Sequence, residues 1–114
     1  MAEALKPIAL DIPGLIQFAE RGIVSKTLYE SPSVKLVLFC FEQGQALSEH
    51  AAPFEAVIQV IEGAAELRLG GEPFEAKPGA LYVMPPGLKH AVTAKGRLVF
   101  LLTMVKPAVQ MGRS

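Results

Sequence analysis

The sequence predicts an all-β fold of the sandwich or barrel type, and three observations carry that prediction. Apolar, β-branched and aromatic runs of roughly five to eight residues recur along the whole chain. Glycine and proline interrupt them about every ten residues, which is the spacing of short strands joined by turns. Several runs are apolar on both faces, as expected of strands covered on each side by a second sheet or by a partner subunit.

Taken in order, DIPGLIQFAERG (11–22) holds two glycines and a proline, and reads as a helical turn, a short strand or a loop. GIVSKTLYES (22–31) alternates, with Ile23, Ser25, Thr27 and Tyr29 on one face. VKLVLFCF (34–41) is apolar on both faces after Lys35, and AVIQVIE (56–62) is similar. AELRLG (65–70) alternates cleanly, and Gly70-Gly71 predicts a two-residue hairpin turn that returns as EPFEAK. ALYVM (80–84) follows Pro78-Gly79, HAVTA (90–94) follows Pro85-Pro86-Gly87, and RLVFLLTMV (97–105) is the last strand. This divides the chain into an N-terminal arm (1–21), a barrel (22–105) and a C-terminal tail (106–114).

A length of 114 residues predicts one domain. The hydrophobic fraction is 51% and the charged fraction 19%, a globular balance. Eleven basic residues offset eleven acidic ones, so no basic face predicts nucleic acid or an anionic membrane as partner. Cys40 is the only cysteine, which excludes an internal disulfide and suits a reducing compartment. MAEALKPIALDIPG lacks the basic and apolar regions of a secretory signal. LVFLLTMV (98–105) is far too short to span a bilayer. A cytoplasmic domain is therefore expected. The high apolar fraction for so small a chain suggests a homodimer, with IALDIPGLIQF (8–18) as the candidate for an exchanged arm.

The chain has two histidines, each just after a turn. GQALSEHAAPFEA places His50 six residues after Gly44, and Gly63 follows after the next apolar run. In GALYVMPPGLKHAVTA, Gly79, Pro85, Gly87 and His90 are spaced G-x5-P-x-G-x2-H. This layout resembles the cupin superfamily, marked by the motifs G-x5-H-x-H-x3,4-E-x6-G and G-x5-P-x-G-x2-H-x3-N. The second motif lacks only its last residue, where Ala94 stands. The first keeps Gly44, His50 and Gly63, but has Ala52 at its second histidine and Ala56 at its glutamate.

The resemblance implies a small cupin-type jelly-roll barrel, with three histidines and a glutamate holding one divalent metal inside. Zinc, iron, nickel or manganese is the cofactor so implied. Here His50 and His90 are two ligands of four. Functional sites usually carry three or four protein ligands, so weak metal binding at most is expected. Glu49 and Glu55 have the wrong strand parity for the interior. A bulge near Pro53 would bring Glu55 in as a third ligand.

Ala52, Ala56, Ile58, Met84, Ala94 and Cys40 are expected to line the pocket, the alanines leaving room for a ligand. Cys40 is expected to be an unreactive small hydrophobe. Met84 and Met104 are expected in the core or on the cavity wall. Three roles remain open at this point. One is a module that binds a small molecule through the two histidines. Another is an enzyme of the isomerase, epimerase or dioxygenase kinds that the resemblance implies, with His50 or His90 as base and Tyr82 as acid. The third is a purely structural or oligomer-forming chain.

Overall fold

A computed structural model describes residues 5–107. Seven strands account for the fold: β1 (Ile23–Glu30), β2 (Val34–Phe41), β3 (Ala46–His50), β4 (Glu55–Leu69), β5 (Glu72–Ala76), β6 (Leu81–Met84) and β7 (His90–Val105). A 3-10 turn at Ile12–Leu15 precedes them, which resolves the ambiguity of the N-terminal segment. Among the described residues, no helix is long and apolar enough to cross a membrane. The expected tail lies outside the described residues beyond Pro107. Lys106 is tied back through its N–H to the Ser33 carbonyl and through Nζ to Glu30, 2.7 Å away.

Two runs expected as separate strands prove continuous with their neighbours. Residues 56–62 and 65–70 form one fifteen-residue strand, and 90–94 and 97–105 form one of sixteen. These long strands, β4 and β7, pair antiparallel along nearly their full length, with register breaks at Val60/Glu62 and Gly63/Ala65. A bulge bends and twists a strand without ending it. Residues 55–63 and 98–105 therefore belong to a first sheet, ordered β1-β2-β7-β4-β6, and residues 65–69 and 90–94 to a second, ordered β3-β7-β4-β5. The two sheets face each other across the larger apolar cluster, as in a jelly-roll β-barrel.

Gly63 is what permits the bend. Its φ is +96°, and a Cβ there would lie 1.9 Å from the carbonyl oxygen of Arg97 on β7. Only glycine combines that backbone angle with so close an approach. At the far end of β4, Gly70 and Gly71 both take positive φ and form the expected tight hairpin to β5.

Alternation decides which side chains reach the interior. Phe41, Ile58, Val60, Leu67, Val92, Leu98 and Phe100 meet inside the barrel, each 2% exposed or less. Full burial of a side chain of this size stabilises by about 1.5–3 kcal/mol. Leu38, Cys40 and Val99 point out of the first sheet instead. Ile12, Leu15, Ile16 and Phe18 of the arm cover them, and Arg97 lies 4.5 Å above the Phe18 ring.

Candidate functional site

β3 and β7 carry the two histidines, and the register pairs His50 with His90 directly. β3 is short and largely exposed, and it has no strong apolar pattern in the sequence. A register break between Leu47 and His50 lets both border one cavity although three positions separate them, His50 remaining exposed and His90 half-buried. The imidazole rings meet edge to face with centroids 4.1 Å apart.

Each ring is oriented by a carbonyl two residues earlier in its own chain. Nδ1 of His50 lies 2.9 Å from the Ser48 oxygen, and Nδ1 of His90 lies 3.1 Å from the Leu88 oxygen. A carbonyl oxygen only accepts, so Nδ1 is the protonated nitrogen of each neutral ring. Nε2 then carries the lone pair in both. Backbone carbonyls fix metal-bound histidines in the same way, with one nitrogen held and the other offered. Burial pushes the His90 pKa below the ordinary imidazole value. The bond to Leu88 opposes that shift, and the proximity of His50 adds to it.

Both histidines border a cavity of about 50 Å³, together with Phe39, Leu47, Ile58, Met84, Val92, Phe100 and Leu102. Ile58 and Met84 were expected there. Cys40 was expected too, but its parity on β2 directs it beneath the arm, on the opposite side of the first sheet. Ala56 and Ala94 are buried in the interior cluster without bordering the cavity. Ala52 lies in the β3–β4 loop, and its carbonyl accepts the Gly87 N–H at 2.8 Å, clipping two turns together.

The alanines do not leave the room expected of them. Phe39 and Phe100 stack at 5.0 Å, and Ile58, Leu102 and Met84 fill the interior around them. Phe39 and Phe100 are legible in the sequence as core aromatics, but which face of their strands is inward is not. Leu47 is not legible, because its strand has no apolar alternation.

Glu55 does not join the histidines. It is exposed, next to the buried Ala56, and no group of three His, Cys, Asp or Glu converges anywhere among the described residues. The donor set thus does not fit the four-ligand divalent site that the motif implies. Tyr82 packs against the interior cluster, but its hydroxyl donates to the Glu75 carbonyl at 3.4 Å, and its side chain does not border the histidine cavity.

Residues 37–105 match the cupin domain family. The chain belongs to that family. Among solved structures, this cupin is similar to a conserved protein of unknown function from Streptococcus pyogenes (26% identity, TM-score 0.81, 93% of each chain covered). It is also similar to a Cupin 2 conserved barrel domain protein from Leptotrichia buccalis, at 32% identity and TM-score 0.77. That match covers 82% of this chain and 46% of the other. A third is KdgF from a Halomonas species (28% identity, TM-score 0.70, covering 80% of this cupin and 86% of that chain). Among curated proteins, none matches the chain.

Proposed function

We propose that this cupin is a binding module for a small molecule, held at the paired Nε2 atoms of His50 and His90. The observation that carries the reading is the pair of Nδ1 bonds to Ser48 and Leu88, which leaves the Nε2 lone pairs to two residues that border one cavity. Each ordered water needs roughly 10–15 Å³, so about 50 Å³ takes a few waters or a small head group. Drug-sized ligands need several hundred. A divalent metal is held weakly at most, because two of the motif's four ligands are Ala52 and Ala56. An epimerase-type reaction is less well supported, because the Tyr82 hydroxyl is engaged with Glu75.

Two measurements test this. Native mass spectrometry of untagged protein should find a co-purified mass that His50→Ala and His90→Ala both lose. Histidine-ring nitrogen NMR should show both Nε2 signals shifting when glycerol or glycolate is added. Unmoved ring signals together with a bare mass would rule the reading out.

A homodimer belongs to the same proposal. On the outer face of the first sheet, Leu36, Thr103, Val57 and Val83 form one cross-strand row, and Leu101, Gln59 and Leu81 continue the next beyond Leu38, which the arm covers. Leu81 and Val83 are more than half exposed. Beside the rows, the arm overhangs an apolar groove of about 430 Å³ lined by Ile8, Leu10, Leu28 and Leu36. Over β2, β7, β4 and β6 these rows carry no charge; Lys26 of β1 continues the second row beyond Leu38, and Lys6 lines the groove. A two-fold interface sets a patch against its own copy, so an uncharged patch meets no repulsion there.

A further inference from the structure

The groove of about 430 Å³ between the arm and the first sheet shares no residue with the histidine cavity. Lys6, Ile8, Leu10 and Ile12 line it from the arm, so every second side chain of an extended segment borders it. Leu28, Tyr29, Leu36 and Leu101 line it from the sheet. A register shift between Thr27 and Tyr29 of β1 brings the consecutive residues Leu28 and Tyr29 to the same groove. Among the described residues, no backbone hydrogen bond ties residues 5–10 to the sheet. The arm is anchored further on, where Ile12, Leu15, Ile16 and Phe18 pack on Leu38, Cys40 and Val99.

We propose that this groove binds a free fatty acid, its alkyl tail against Ile8, Leu10, Leu28 and Leu36 and its carboxylate at Lys6. Composition is the first argument. Apart from Lys6 and Tyr29 the lining is aliphatic, and a groove of several hundred Å³ with few polar groups suits a small amphiphile. Charge is the second. No acidic side chain lines the groove. Among the described residues, Arg68, Lys95, Arg97 and Lys106 each have a carboxylate within ion-pair distance, and Lys6 has none. Shape is the third. At up to about 3.3 Å per residue, Lys6 to Ile12 spans as much as about 20 Å, with the cation at one end of an aliphatic run. That fits a long chain with a single charged head. A second copy seated on the neighbouring rows would supply no such head, because Leu36, Thr103, Val57, Val83, Gln59 and Leu81 carry no carboxylate.

The test is calorimetric titration of the full chain with octanoate, decanoate and dodecanoate below their micellar concentrations. One fatty acid per chain should bind, and each added methylene should tighten it by about two- to fourfold. Decanoate should bind more tightly than decylamine, which has the same tail and the opposite charge. Lys6→Glu should reverse that preference. Ile8→Asp should weaken decanoate at least about tenfold, because it sets a charge against the tail. Both residues are exposed on the arm, outside the barrel, so neither substitution threatens the fold. His90→Gln should change nothing. The double variant Leu81→Glu with Val83→Glu, which removes the proposed dimer contact, should bind decanoate as the unmutated chain does. The proposal is overturned by binding that never saturates, by equal affinity for decanoate and decylamine, or by undiminished binding in Ile8→Asp. Loss of binding in His90→Gln would overturn it by placing the ligand in the barrel. Loss in the double variant would overturn it by assigning the groove to a second copy. Uptake by anionic phospholipid vesicles with none of free decanoate would overturn it in favour of a membrane-facing arm.

Discussion

His50 and His90 face each other across β3 and β7 with ring centroids 4.1 Å apart, and each ring is locked by a carbonyl two residues behind it. Two imidazoles so close disfavour a second positive charge, and burial already disfavours the first at His90.

Stability should therefore fall on mild acidification of the metal-free protein. The folded-state pKa of His90 lies below its ordinary value of 6.5. Above that value the ring is neutral both folded and unfolded, and this contribution to stability is fully present. As the pH drops below it, the unfolded chain takes up a proton that the folded chain resists, and stability is lost until the folded group titrates. Urea unfolding between pH 8 and pH 5 in a chelating buffer should show this decline. His90→Gln should flatten it. An equal slope in the variant would assign the loss to other groups.

Gly63→Ala should cost at least about 3 kcal/mol, through positive φ and a backbone collision together. Gly71→Ala is the matched control. Its φ is +86°, but nothing lies within 4 Å of the added carbon, so its cost should stay near 1–2 kcal/mol. Chemical denaturation of both variants checks the difference. Similar losses would mean that the β4 bend yields more readily than the contact implies.

How far the sequence reached depended on the kind of signal. Strand after strand was legible because alternation and turn residues are local. Gly63 was legible as a motif residue, but not as the point where one strand passes between two sheets, since that depends on the Arg97 carbonyl 34 positions away. β3 escaped notice because its residues are exposed and carry no period. The histidine pair was legible by spacing. The company it keeps was not, because Met84 and Met104 flank Ala56 only through pairings with two distant strands. Cys40 shows the opposite failure. Parity along β2 was available, but a strand apolar on both faces does not say which face is inside.

In solution the chain should have about twice its 12.2 kDa mass. Light scattering after size exclusion at micromolar concentration reads this directly. The double variant Leu81→Glu with Val83→Glu should shift it to a monomer. Both side chains are more than half exposed on β6, so the barrel itself should fold as before. A compact monomer for the unmutated chain would refute the dimer.

Restoring the carboxylate should convert the site. Ala56→Glu returns the motif's acidic residue to a buried inward position between Met84 and Met104. In apoprotein this places a charge and extra volume in a packed interior, and should destabilise by several kcal/mol. With His50 and His90 it also completes two imidazoles and one carboxylate, a set that suits divalent iron or zinc. Zn(II) should therefore restore much of the lost melting temperature in the variant and little in the unmutated protein, because a ligand that binds only the folded state stabilises it. Calorimetry should find Zn(II) affinity raised at least about tenfold. If zinc leaves the variant's melting temperature unmoved, the methionine row keeps the carboxylate from reaching the histidines. The departure from the divalent site would then lie in the packing of the first sheet as well as in the alanine.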